Sequence, residues 1–100
     1  MLPKWLYCDI DNTLTAEDKR DAAPVPERIA RLKRLIDAGV KVVLWSMSGQ
    51  DYATRFAQRH GINAVACLRK PSMIVDDRAP LFRPANRLKI VLPEEMPDAI

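Results

Sequence analysis

The sequence predicts an α/β fold built on a mostly parallel central sheet. Three observations point to it. Short continuous apolar runs, the pattern of strands covered on both faces, recur at residues 5–9, 40–45, 64–68 and 73–75. Amphipathic helical stretches with recognisable start and stop signals follow the first and second runs. A strand, a helix and a second strand in that order give parallel neighbours joined by a right-handed crossover.

The first run, Trp5-Leu6-Tyr7-Cys8, ends abruptly in Asp9-Ile10-Asp11-Asn12-Thr13. This puts Asp9 at the carboxyl end of a strand and Asp11 in the loop just beyond, where open α/β sheets bind ligands. Carboxylates so close repel each other unless a cation or a shared proton intervenes. The pair therefore suits a hard metal ion or acid/base work, with a plain Asx-type turn as the competing reading. Residues 14–24 lack a period, carry many charges and form a loop or flap. Its Lys19 and Arg20 are either solvated or, if the flap folds over the strand end, in reach of an anionic substrate.

Residues 26–38 form a helix, with Pro26 in the first turn, Glu27 complementing the dipole and Gly39 beyond the end. Ile29, Leu32, Leu35 and Ile36 make one apolar stripe. Arg28, Arg31, Lys33 and Arg34 decorate the other faces. Without interleaved aromatics they read as a solvated surface before a nucleic-acid contact. The second run leads through Ser46-Met47-Ser48-Gly49 to a helix over residues 50–59, closed by His60-Gly61. Ser48 and Asp51 resemble a capping box, and Tyr52 and Phe56 face the sheet. A turn of this kind before a helix N-terminus offers an anion its backbone N–H groups and Ser46. The third run is followed by Arg69-Lys70-Pro71, and the fourth stops at Asp76-Asp77. A weak last strand is expected at residues 88–92, with residues 93–100 fraying.

Composition narrows the function classes. The 100 residues are 48% hydrophobic and 29% charged with a net charge of +3, ordinary values for one globular domain over residues 1–100. No apolar run approaches the ~20 residues that span a membrane. The short apolar start runs into Asp9 and is no signal peptide, so a cytoplasmic protein is expected. Cys8 and Cys67 have neither a CxxC partner nor a nearby His, which argues against zinc. Cys8 should point away from Asp9 as a buried free thiol.

In chain order, D-I-D-N-T after the first strand, Ser46 after the second, Lys70-Pro71 and then I-V-D-D resemble the haloacid dehalogenase (HAD) superfamily of phosphotransferases. The likeness covers roughly residues 5–80 and rests on the order of the motifs. It implies a three-layer Rossmann-like (HAD-like) architecture. It also implies a Mg²⁺-dependent phosphatase (phosphomonoester hydrolase). In that family's chemistry Asp9 would be the nucleophile that forms an aspartyl-phosphate and Asp11 the general acid, then base. Mg²⁺ would be held by Asp9, the Asp11 carbonyl, Asp76 and Asp77, either of the last two being the direct ligand. Ser46, the N–H of Met47, Asn12 and Lys70 would bind the phosphoryl group.

One spacing departs from the family pattern. Only residues 69–72 separate the third and fourth runs, too few at ~3.3 Å per residue for two full strands and a return crossing. Either the third strand is short or residues 64–75 take another path, and Arg69 could replace Lys70 as the site cation. The gaps that often hold a cap domain are short, so the chain reads as capless. Such a site suits large phosphorylated substrates, nucleic-acid ends among them, or a lid borrowed by homo-oligomerisation. The alternatives are an inactive phosphate- or metal-binding module and an interaction subunit that uses the basic helix.

Overall fold

The computed structural model describes residues 1–73, 75 and 91–100. Strand β1 (Trp5–Cys8), helix α1 (Pro26–Asp37), strand β2 (Lys41–Ser46), helix α2 (Gln50–His60) and strand β3 (Ala66–Arg69) follow one another as expected. The strands form a parallel sheet in the order β1-β2-β3. Both helices share one core on a single face of the sheet, as right-handed crossovers running the same way require. Pro26 opens α1 because its missing N–H would be unpaired there in any case. At the end of α2, Gly61 takes the left-handed conformation, φ +65° and ψ 35°, that closes a helix at little steric cost.

The register decides which side chains share a face. Leu6 lies beside Val42, Cys8 beside Leu44, and Leu44 beside Cys67. These residues point toward the helices and join Leu32, Leu35, Tyr52 and Phe56 in one apolar core, with Leu6 and Cys67 at its margin. The alternate residues Trp5, Tyr7, Trp45 and Leu68 belong to the opposite face, where Trp5 and Tyr7 are each 53% exposed. Tyr7 and Trp45 meet edge to face there, with ring centroids 4.9 Å apart. Among the described residues the molecule is therefore a two-layer α/β unit. The described residues do not form the third layer of the expected architecture. No helix among the described residues is long and apolar enough to cross a membrane.

Strand β3 differs in its bounds from the expected run 64–68. It starts later, at Ala66, and pairs with β2 over only four residues, so Lys70 follows at once. The fourth strand expected at 73–75 is not seen in Met73 and Val75, which are exposed and in no strand, while residue 74 lies outside the description. Residues 88–90 of the weak last strand also lie outside, and Val91 and Leu92 are in no strand.

The C-terminal segment, expected to fray, lies against α1 instead. A 3-10 turn (Pro93–Glu95) carries the chain to Met96, which is buried in the core. Arg31 donates to the Met96 carbonyl at 3.2 Å, and Arg34 grips both carboxylate oxygens of Asp98 at 3.1 and 2.9 Å. The basic face of α1 is thus largely committed to this chain, since Arg28 also donates to the Thr13 carbonyl at 3.2 Å.

Candidate active site

At the carboxyl ends of β1, β2 and β3 lie those predicted residues that the structure describes, Asp9, Asp11, Asn12, Ser46, Met47 and Lys70. The geometry starts from main-chain pairing. Ser46 is in register with Arg69, and the Lys70 N–H continues the ladder onto the Ser46 carbonyl at 3.0 Å. Successive residues alternate sides, so Arg69 turns toward α2 and Lys70 toward the other side. Asp9, the neighbour of core-facing Cys8, turns the same way as Lys70. Lys70 Nζ lies 3.0 Å from Asp9 Oδ1. Of the two candidate cations, it is Lys70 that pairs with Asp9, while Arg69 borders Gly49 at the head of α2.

The other Asp9 oxygen is held locally. Asn12 adopts the left-handed conformation at φ 59°, which bends the chain back on itself. The N–H groups of Thr13, Leu14 and Thr15 all converge on the Ile10 carbonyl, at 3.1, 2.8 and 3.2 Å. This tight bend brings the Thr13 hydroxyl to Asp9 Oδ2, to which it donates at 3.1 Å. Buried Thr15 supports the same bend by accepting the Asn12 N–H at 3.0 Å. The side chain of Asn12 itself is exposed. The flap that follows is pinned by a Thr15–Pro24 antiparallel bridge.

Asp11 has different partners from Asp9. The Tyr52 hydroxyl donates to its Oδ1 at 2.7 Å, and the Ser48 hydroxyl lies 3.4 Å from its Oδ2. Burial pushes the Tyr52 phenol upward, the Asp11 hydrogen bond adds to that, and so it remains a donor at neutral pH. The Asp21 N–H donates back to the Tyr52 oxygen at 3.2 Å and ties the flap to α2. Tyr52 was expected only as a core residue. Its ring is buried as expected, but a buried phenol also needs a partner for its hydroxyl, and Asp11 is that partner.

The Ser46–Gly49 turn is built differently from the expected capping box. The cap residue of α2 is Gly49, at φ +107°, with no side-chain cap bond. Ser48 is released to reach Asp11. Ser46, only 1% exposed, accepts the Ser48 N–H at 3.0 Å and keeps its own hydroxyl proton to donate. Met47 stands 60% exposed at the tip of the turn.

Cys8 is buried, with its thiol donating to the Asp9 carbonyl at 3.2 Å. Burial pushes its pKa up to about 12, the Asp9 charge adds to this, and Lys70 partly offsets it. A thiol so held is no nucleophile. His60 packs against Phe56, away from these groups, and burial lowers its pKa, with Arg59 and Lys33 acting in the same direction.

Asp9 and Asp11 are partly accessible carboxylates two residues apart, hard oxygen donors that fit a cation such as Mg²⁺. Among the described residues they are joined by no third acidic, His or Cys side chain. Asp76 and Asp77 lie outside the description. No family model, no curated protein and no solved structure matches the chain.

Proposed function

We propose that the protein is a Mg²⁺-dependent phosphomonoester hydrolase working through an aspartyl-phosphate on Asp9. The observation that carries this reading is the division of labour between the two aspartates. Asp9 is flanked by a cation and a hydroxyl, Lys70 at 3.0 Å and Thr13 at 3.1 Å, whereas Asp11 is held by Tyr52 and Ser48. An Asx turn alone does not account for a lysine from a distant strand end. In the first step an Asp9 oxygen forms a bond to phosphorus while the ester P–O bond breaks, and Asp11 gives its proton to the leaving oxygen. In the second, water attacks the phosphorus and passes a proton to Asp11. The bond between Asp9 and phosphorus breaks, and inorganic phosphate leaves.

Lys70 neutralises charge between the nucleophile and the anionic group it attacks. The Ser46 hydroxyl, the Met47 N–H and Asn12 bind phosphoryl oxygens in this reading. Mg²⁺ would be held by Asp9, the Asp11 carbonyl and the acidic pair Asp76-Asp77, and it supplies charge neutralisation of the transferred group. The same reading assigns a capless HAD-like architecture and a cytoplasmic location. Its substrate is large, or a second copy of the chain serves as a lid. An interaction subunit built on the basic helix is less favoured, because Arg28, Arg31 and Arg34 already bond within the chain.

The test is hydrolysis of p-nitrophenyl phosphate and a panel of phosphomonoesters with and without Mg²⁺, alongside Asp9→Asn. Metal-dependent turnover by the wild type and none by the variant is expected. Equal turnover by both would overturn the reading, as would no turnover by the wild type on any ester.

A further inference from the structure

Three arginines from three different elements surround one cleft beside this site. Arg20 from the flap, Arg55 from α2 and Arg69 from the end of β3 line a cleft of about 570 Å³, together with Ser48 and Tyr52. Those last two are the residues that touch Asp11, so the cleft opens one side chain away from it. Its cations have defined positions. The Arg20 guanidinium sits 5.1 Å from the centre of the Tyr52 ring, whose hydroxyl also binds the flap backbone at Asp21. Arg69 passes Gly49, with Nη1 3.9 Å from where a side-chain carbon would stand. The N-terminal turn of α2 adds its positive end to the same space.

Among the described residues Asp51 is the only carboxylate lining the cleft, against three guanidinium groups, and none of the three arginines forms an ion pair. Arginines spread along one helix would be an ordinary solvated face. Here flap, helix and strand end each supply one to a common cleft. Planar guanidinium groups match phosphate oxygens two at a time, and the volume holds a phosphate with several further atoms.

We propose that this cleft is a second phosphate subsite, and that the substrate is a phosphomonoester carrying a further phosphate on the same molecule. The inference rests on the phosphatase reading above, with the ester phosphate at Asp9 and the second phosphate among Arg20, Arg55 and Arg69. Both a small bisphosphate and the phosphorylated end of an oligonucleotide have this chemistry.

The test is calorimetric binding to the Asp9→Asn protein with Mg²⁺ present, so that bound esters persist. The ligands are a nucleoside 5′-monophosphate, its 3′,5′-bisphosphate and a 5′-phosphorylated trinucleotide. At least about tenfold tighter binding of the bisphosphate than the monophosphate is expected, with the ratio falling toward one when R55Q and R69Q are combined. R20Q, on a separate element, should lower the ratio as well. A trinucleotide that binds more tightly than the bisphosphate would identify a polynucleotide end as the source, and equal or weaker binding a small molecule. Equal affinity for mono- and bisphosphate, a ratio that survives the arginine substitutions, or no binding of any ligand would overturn the proposal. Hydrolysis by the wild type without a bisphosphate preference defeats the subsite alone. A preference without hydrolysis defeats the phosphatase reading alone.

Discussion

Lys70 Nζ and Asp9 Oδ1 are 3.0 Å apart although two helices and two strands separate them in the chain. The Ser46–Arg69 register and the Lys70 N–H bond to the Ser46 carbonyl fix this pairing through the backbone. Both side chains keep roughly a third of their surface exposed, at 29% and 31%, so the ion pair itself contributes only about 0–1 kcal/mol to stability. Its value to the phosphatase reading is electrostatic. Lys70→Met is expected to lower kcat about 10²–10³-fold while Tm moves little. Steady-state kinetics and a melting curve on the same sample check this. A large loss of Tm with unchanged kcat would make Lys70 a structural residue.

Tyr52→Phe removes one hydroxyl from a contact to a carboxylate and leaves the buried ring in place. Such a bond contributes about 1–2 kcal/mol, and a domain of this size loses about 4–8 °C in Tm per kcal/mol. The variant should therefore melt about 4–16 °C lower and, under the phosphatase reading, hydrolyse phosphomonoesters more slowly, because Asp11 loses its orienting partner. Calorimetry and kinetics both bear on it. An unchanged Tm would mean that the 2.7 Å contact is not maintained in solution.

The two thiols should differ in reactivity. Cys8, with its pKa raised to about 12, has almost no thiolate at pH 8, whereas Cys67 is only partly buried. Burial also raises Cys67, against a hydrogen bond from Thr54, so its labelling will be slow but measurable. Alkylation followed by peptide mass spectrometry should find Cys67 modified in the native protein and Cys8 only after denaturation. Because the folded Cys8 pKa lies above the ordinary thiol value of 9.0, the associated stability is present below pH 9 and lost as pH rises toward about 12.

Acid should release the C-terminal segment. The Arg34 hydrogen bonds and the Ile100 N–H hold the Asp98 carboxyl near 2, below its ordinary 3.8. A depressed carboxyl pKa stabilises the fold above the unfolded value and ceases to do so as pH falls through the folded one. The Tm difference between wild type and Asp98→Asn should accordingly be constant above pH 4 and shrink between about pH 4 and 2. A difference independent of pH across that window would contradict the assignment.

What could be read from the sequence follows from how local each feature is. Helices α1 and α2 announce themselves through Pro26, Glu27, Gly61 and their apolar stripes, and the strand ends through Asp9 and Ser46. The bond from Thr13 to Asp9 spans only four residues, yet it depends on the left-handed turn at Asn12, which no periodicity reveals. Ser48 looked like a cap because its type and spacing to Asp51 fit one. The backbone instead placed Gly49 at the cap with φ +107° and freed Ser48 for Asp11. Tyr52 carried a readable signal, since a tyrosine on the core side of a helix must find a partner for its hydroxyl. The docking of Asp98 on Arg31 and Arg34 could not be read, because surface charges far apart in the chain give no pattern that pairs them.

The phosphatase reading requires Asp9 to be the nucleophile that takes the phosphoryl group onto its carboxylate. Its most direct test is rapid acid quench of the Mg²⁺-loaded protein during turnover of a phosphomonoester, followed by peptide mass spectrometry. An acid-stable, base-labile phosphate is expected on the peptide that contains Asp9, present in the wild type and absent in Asp9→Asn. Sustained hydrolysis with no phosphate on that peptide, or phosphate on any other residue, would contradict it.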